Sequence, residues 1–117
     1  MHRSWLLLFT LLVGACAKPV PRALPAEGYV GVPGGKIYYA RMGNGPGVPL
    51  IVIHGGPGSG SYSLKPFGAL GDDRPVIRYD QLGAGKADHP TDTTLFTVER
   101  AVRELQALRD SLGLREV

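Results

Sequence analysis

Residues 49–63 read PLIVIHGGPGSGSYS, and the change in this stretch from an apolar run to a glycine-rich segment decides the fold. The first part is a continuous apolar run ending at His54, which predicts a strand buried on both faces of a parallel sheet. Four glycines and one proline follow within the next seven residues. Glycine loses more conformational freedom on folding than other residues, so we expect this loop either to place backbone against a ligand or to turn a corner.

The segments around this stretch predict an α/β domain. Residues 28–32 and 36–42 are short β-type runs joined at a Pro-Gly-Gly turn, which indicates a hairpin. A short helix is predicted within residues 61–70, a further strand over residues 75–80 and a longer helix over residues 97–112. The predicted fold class is therefore α/β, with a β-hairpin followed by a βαβα unit.

The longer helix is predicted to turn one apolar face toward the sheet. That face comprises Val98, Ala101, Val102, Leu105, Leu108 and Leu112. Glu99 lies near the positive end of the helix dipole, and Gly113 is a natural residue to end the helix.

Two loops that contain glycine follow the predicted strands, one after His54 and one after Asp80. In α/β sheets the ligand site lies beyond the C-terminal ends of the strands, which is where both loops fall.

No glycine of either loop fits a dinucleotide fingerprint or a Walker A loop, which argues against a nucleotide site. One cysteine and three widely separated histidines predict no metal site, and we expect no cofactor. A net charge of +3, without a basic cluster interleaved with aromatics, argues against nucleic acid as a partner.

The remaining chemistry for the glycine loop (residues 55–61) is stabilisation of a developing oxyanion. Acyl transfer passes through a tetrahedral intermediate, and each preorganised backbone N–H that binds its oxygen contributes about 10²- to 10³-fold in rate. Glycine permits this close approach because it has no Cβ. The loop is therefore a candidate for part of an oxyanion hole.

Two motifs carry a resemblance to a known family. His54-Gly55-Gly56-Pro57-Gly58 is identical to the HGGPG motif of the proline iminopeptidases (prolyl aminopeptidases), which are serine peptidases with an α/β-hydrolase fold. DQLGAGKAD at residues 80–88 resembles their second hallmark, DQxGxGxS, at a similar spacing. ERAVRELQALRDSLGLREV at residues 99–117 resembles the segment leading to the nucleophile strand. The resemblance covers residues 28–117 and implies the N-terminal portion of the family's catalytic domain.

The resemblance implies a role for each residue of the first motif. The backbone N–H of Gly56 is expected to be one oxyanion donor. Gly55 and Gly58 are expected to permit the turn, and Pro57 to stiffen it. His54 is expected to shape the loop, with a general base as the alternative.

In the second motif, the resemblance carries over to Asp80, Gln81, Gly83 and Gly85. Asp80 is expected to cap its loop through backbone hydrogen bonds, with a triad acid as the alternative. The motif departs from the family at two positions that we expect to serve loop packing. Ala87 stands where the family usually has Ser, and Leu82 replaces the more common Arg. These departures blur the substrate class more than the fold.

No serine of the chain lies in a Gly-x-Ser-x-Gly nucleophile elbow. In the family the elbow follows a strand that would begin near Val117, so we expect a sheet truncated before the nucleophile strand. The triad and the cap domain are then also absent, and the chain alone is expected to be inactive. The whole enzyme is expected to remove N-terminal proline, or a similar residue, from peptides with a free N-terminus. The alternatives are an esterase, an epoxide hydrolase or a small non-catalytic surface lipoprotein.

The N-terminal segment predicts export. In residues 1–15 a positive start at Arg3 precedes an apolar stretch and small residues, which is the layout of a signal peptide. The segment ending at Cys16 resembles the bacterial lipobox and implies lipid attachment there, with an ordinary signal peptide and a chance cysteine as the alternative. Residues 16–27 contain three prolines and predict an extended tether. The expected location is a bacterial membrane, lipid-anchored and facing the periplasm or the outside.

Overall fold

A computed structural model describes residues 24–56 and 58–117. The predicted signal peptide, Cys16 and most of the predicted tether lie outside the described residues, as does Pro57. The elements are β1 (Glu27–Val32), β2 (Gly35–Met42), β3 (Leu50–Ile53), a 3₁₀ segment (Tyr62–Leu70), β4 (Val76–Asp80), a second 3₁₀ segment (Thr93–Leu95) and α1 (Val98–Leu112). None of the described helices has the length and apolarity needed to span a bilayer.

The four strands form one sheet in the order β1-β2-β4-β3. β1 and β2 pair as the predicted antiparallel hairpin, and β2 pairs antiparallel with β4. β3 pairs with β4 in parallel, which places both loops at the C-terminal ends of these strands. The α/β fold class predicted from the order of elements is therefore confirmed.

The core lies between one face of the sheet and α1. Ile37 and Tyr39 of β2 and Ile77 and Tyr79 of β4 alternate along their strands and pack in one cluster with Leu108 of the helix. Tyr79 is 2% exposed. Burial raises the pKa of Tyr79 to about 12, the nearby Glu104 charge adds to the rise and Arg100 opposes it. The phenol is neutral and part of the core.

β3 departs from the prediction of a strand buried on both faces. Val52 is buried, but Ile53 is 52% exposed and Leu50 and Ile51 are half-buried. β3 is the last strand of the sheet, and among the described residues only β4 pairs with it. Its outer edge and the face that carries Ile53 therefore have little covering from the described elements.

The buried face of α1 also differs from the prediction. Val98 is 76% exposed and Val102 is 52% exposed, although both were expected to face the sheet. Leu108 and Leu112 of the predicted face are buried, and the other two buried positions of the helix are Arg100 and Glu104, at the same spacing of four residues. An ion pair, described below, occupies the buried side of the first half of the helix.

The ends of α1 follow from local chemistry. The hydroxyl of Thr97 accepts a hydrogen bond from the N–H of Arg100 at 3.2 Å and caps the helix start. Gly113 adopts the left-handed conformation at φ 66°, as predicted for the residue that ends the helix. The predicted short helix at residues 61–70 is a 3₁₀ segment with Pro66 inside it. Proline removes a backbone donor, so a regular α-helix is not favoured there.

Candidate active site

His54 and Gln81 join the two loops by a reciprocal pair of hydrogen bonds. The backbone N–H of Gln81 donates to Nε2 of His54 at 3.2 Å, and the side-chain amide of Gln81 donates to the backbone carbonyl of His54 at 3.2 Å. Nδ1 of His54 lies 3.2 Å from the carbonyl oxygen of Gly55. Because Nε2 accepts a hydrogen bond, the ring fits the neutral tautomer with its proton on Nδ1. Both ring nitrogens of His54 are therefore engaged within the two loops, an arrangement that suits a residue that shapes the loop.

Gly56 follows this pair of loop contacts and lies at the surface. Its φ is 53°, in the left-handed region that side chains disfavour, and its carbonyl accepts a hydrogen bond from the N–H of Ser59 at 3.2 Å. Among the described residues no acceptor binds the Gly56 N–H. The residue is exposed.

A cleft of about 540 Å³ lies between the two loops and the start of α1. Residues from all three parts line it, among them His54, Gly56, Gln81, Leu82, Phe96 and Val98. Most of this lining is apolar, with backbone amides of the glycine loop at one side. That combination is typical of a site that binds an apolar group and polarises an adjoining carbonyl.

Asp80 holds the second loop (residues 81–90) and the end of the glycine loop. One carboxylate oxygen accepts the N–H of Ser61 at 2.6 Å, and the other accepts the N–H of Lys86 at 2.8 Å. Burial raises the pKa of Asp80, but the hydrogen bonds from Lys86 and Ser61 and the charge of Arg78 outweigh it and hold the pKa below its ordinary value. The carboxylate is thus ionised and occupied by backbone donors, which suits the capping role.

The glycines of the second motif make room for these contacts. A Cβ at Gly85 would overlap the Asp80 carboxylate, and φ is 52°. A Cβ at Gly83 would lie 2.6 Å from the ring of Phe96. The two positions that depart from the family motif, Leu82 and Ala87, are 3% and 4% exposed, so both pack inside the loop.

Arg100 and Glu104 form a buried ion pair that the sequence analysis missed. Glu104 is 0% exposed, and its Oε1 accepts from the backbone N–H of Leu82 at 3.1 Å and from the guanidinium of Arg100. The pair therefore fixes the second loop to α1. The sequence contains a signal for it, because positions 100 and 104 are in phase with Leu108 and Leu112 at a spacing of four residues.

Across the described ranges 24–56 and 58–117, no three His, Cys, Asp or Glu side chains come together as a metal-binding group. The structure brings His54, Gly55, Gly56 and Gly58 to the cleft together with Gln81 and Gly83. Asp80 and Gly85 line a different cavity.

The comparisons with known proteins agree with this architecture. A model of the family described as alpha/beta hydrolase fold matches residues 48–117. The chain belongs to the α/β-hydrolase fold family. Relatives that it resembles in sequence include proteins named proline iminopeptidase. That of Heyndrickxia coagulans is 53% identical over 92 residues, which cover 78% of this chain and 32% of the relative. That of Lactobacillus crispatus (strain ST1) is 41% identical over 95 residues, with the same two coverages of 78% and 32%.

Solved structures show the same likeness. The crystal structure of proline iminopeptidase from Mycobacterium smegmatis matches with a TM-score of 0.70 and 31% identity, over 75% of this chain and 32% of that one. The epoxide hydrolase VrEH1 from Vigna radiata matches with a TM-score of 0.65 and 28% identity, over 74% of this chain and 28% of that one. The chain spans about a third, 32%, of the length of the curated relatives it matches.

Proposed function

We propose that this chain supplies the oxyanion half of the active site of a serine hydrolase that removes N-terminal proline, or a similar residue, from peptides. The observation that carries the proposal is the Gly56 N–H, which has no acceptor among the described residues and lies beside an apolar cleft. The names of the relatives similar in sequence support the substrate class.

In the proposed mechanism the groups of this chain bind and orient the substrate and stabilise the charge that develops on it. The Gly56 N–H donates to the substrate oxygen as negative charge develops on it, and Gln81 and His54 keep the loop from reorganising during that step. The apolar wall formed by Phe96 and Val98 receives the prolyl ring. The attacking serine is not among the residues of this sequence, because no Gly-x-Ser-x-Gly occurs in it.

A chimera with a relative supplies the nucleophile and tests the proposal. Residues 24–117 replace the matching segment of the Heyndrickxia coagulans proline iminopeptidase, to which the chain is 53% identical. We expect the chimera to hydrolyse prolyl-4-nitroanilide, measured by release of 4-nitroaniline, and the 117-residue chain alone to release none. A chimera that folds by circular dichroism but does not turn over the substrate contradicts the proposal, as does turnover by the chain alone.

An epoxide hydrolase is the second candidate, because VrEH1 matches the described fold with a TM-score of 0.65. Its identity of 28% is lower than the 53% of the first relative, so we favour the peptidase. The complete gene product assayed on prolyl-4-nitroanilide, 4-nitrophenyl acetate and styrene oxide separates peptidase, esterase and epoxide hydrolase. Activity on none of the three favours the non-catalytic surface lipoprotein.

We also propose that the protein is exported and anchored through a lipid on Cys16. The support is the position of the chain's one cysteine directly after a signal-like segment. Each buried methylene contributes about 0.8 kcal/mol, so two or more acyl chains hold a protein on a bilayer. In a bacterial host we expect the wild type in the membrane fraction, labelled by radioactive palmitate, and Cys16→Ser unlabelled. Equal fractionation and labelling of the two proteins contradicts the anchor.

A further inference from the structure

A second cavity, of about 310 Å³, adjoins the far end of the glycine loop. It is lined by the loop's last residues and by side chains from β4, the second loop and the first 3₁₀ segment; those used below are Ser61, Tyr62, Lys65, Arg78, Asp80 and Lys86. No described residue lines both this cavity and the active-site cleft. We call it the basic pocket.

The basic pocket carries an excess of positive charge. Lys65, Arg78 and Lys86 line it, and Asp80 is the one carboxylate among its described lining residues. Both Asp80 oxygens already accept backbone N–H groups. Among the described residues none of the three cations forms a salt bridge, since the two present join Arg74 to Asp73 and Arg100 to Glu104. The nearby Glu27 carboxylate accepts from the hydroxyl of Tyr38 and does not line the pocket.

Aromatic rings and a hydroxyl, rather than carboxylates, hold these cations. The ammonium of Lys86 lies 4.6 Å from the Tyr38 ring centroid and 3.5 Å from its hydroxyl. The ammonium of Lys65 lies 4.2 Å from the ring centroid of Tyr62. Cation–π contacts position a charge without neutralising it, so both ammonium groups remain available to an anion.

Arg78 supplies the most specific feature. Its Nη1 donates to the hydroxyl of Ser61 at 2.9 Å, while its Nε is buried and has no acceptor among the described residues. Buried donors in proteins are nearly always hydrogen-bonded, so this Nε is a donor for which the described residues supply no partner. The planar guanidinium matches an oxyanion that accepts two parallel hydrogen bonds.

We propose that the basic pocket binds a phosphate group, as inorganic phosphate or as a phosphate ester. Phosphate carries about −1.5 to −2 charge at pH 7 and several acceptor oxygens, which suits three cations around one small cavity. A carboxylate carries a single charge and would leave the excess only partly neutralised. This site is independent of the proposed peptidase function, because its test measures binding and not turnover.

The test is titration of the full chain, held in detergent to keep its N-terminal segment in solution, with inorganic phosphate followed by ³¹P NMR. Arg78→Met and Lys86→Met are each expected to weaken binding about tenfold or more, because each removes a charged partner of the anion. Arg78→Lys keeps the charge but loses the planar guanidinium that can donate two parallel hydrogen bonds. Its affinity for phosphate is expected to lie between those of the wild type and Arg78→Met. The matched control is Arg74→Gln, since Arg74 is exposed and pairs with Asp73 outside the pocket. Circular dichroism checks each variant, and any that fails to fold is repeated in the chimera.

Two further arms identify the source of the phosphate. If the chain binds inorganic phosphate at least as tightly as glycerol 3-phosphate, the ligand is a free phosphate anion. If it binds glycerol 3-phosphate more tightly, the ligand is a phosphate ester. Three results overturn the proposal: no binding of either compound, binding of acetate as tight as that of phosphate, or loss of binding in Arg74→Gln equal to that in Arg78→Met.

Discussion

Replacing Glu104 by alanine is expected to destabilise the folded chimera by about 3–5 kcal/mol, because it leaves Arg100 as an uncompensated buried charge. Arg100 is only 5% exposed, so water cannot take the place of the carboxylate. The same change removes the acceptor of the Leu82 N–H, which is buried in the second loop. Since a domain of this kind has a total stability of about 5–15 kcal/mol, the loss is a large fraction of it.

Urea unfolding followed by circular dichroism measures this effect. Glu116→Ala is the matched control, since Glu116 is exposed, and it should change the free energy of unfolding by less than about 0.5 kcal/mol. Glu104→Gln should cost less than Glu104→Ala, because an amide oxygen can still accept from Leu82. The double variant Arg100→Met/Glu104→Met should recover part of the loss, since it removes both buried charges. A cost below about 1 kcal/mol for Glu104→Ala would show that the pair does not hold the loop.

Local patterns predicted the order of the four strands and of the longer helix correctly, but not the 3₁₀ segment at Thr93–Leu95. The turn after Val32, the cap at Thr97 and the glycine at position 113 all depend on residues close together in sequence. The position of the two glycine loops also followed from a general property of parallel strands, whose C-terminal ends share one edge of the sheet. The structure places the loops in contact through His54 and Gln81, as that rule requires.

The errors arose where contacts between distant residues decide the outcome. Apolar spacing in α1 favoured a face that includes Val98 and Val102, but both are exposed, and Glu104 on the buried side accepts a hydrogen bond from the N–H of Leu82. A pattern of hydrophobic residues cannot reveal that a backbone donor from another loop lies at that position. The apolar run of β3 likewise predicted burial on both faces, whereas Ile53 is half exposed at the sheet edge. An apolar run shows that a strand can be buried on both faces. Whether the strand is buried depends on which other elements cover those faces.

The Gly56 N–H is expected to have the largest effect on catalysis. One oxyanion donor contributes about 10²- to 10³-fold in kcat, and the effect falls on kcat because the oxygen carries its charge only in the transition state. An ordinary side-chain substitution cannot test this, since any Cβ at φ 53° strains the loop. Gly56→Ala keeps the N–H, and we expect it to lose less activity than a variant that lacks the donor.

Exchange of the residue 56 amide for an ester removes the N–H and leaves the glycine-like backbone intact. The matched control is the same exchange at Gly31, an exposed position of β1 where an added Cβ would meet nothing within 4 Å.

The most direct measurement is kcat of the ester-56 chimera on prolyl-4-nitroanilide, with circular dichroism to verify the fold. We predict a fall in kcat of about 10²- to 10³-fold with KM nearly unchanged, and no such fall in the ester-31 control. A residue 56 ester that retains kcat within about threefold of the unmodified chimera would contradict the proposed role, because the glycine loop would then not stabilise the oxyanion.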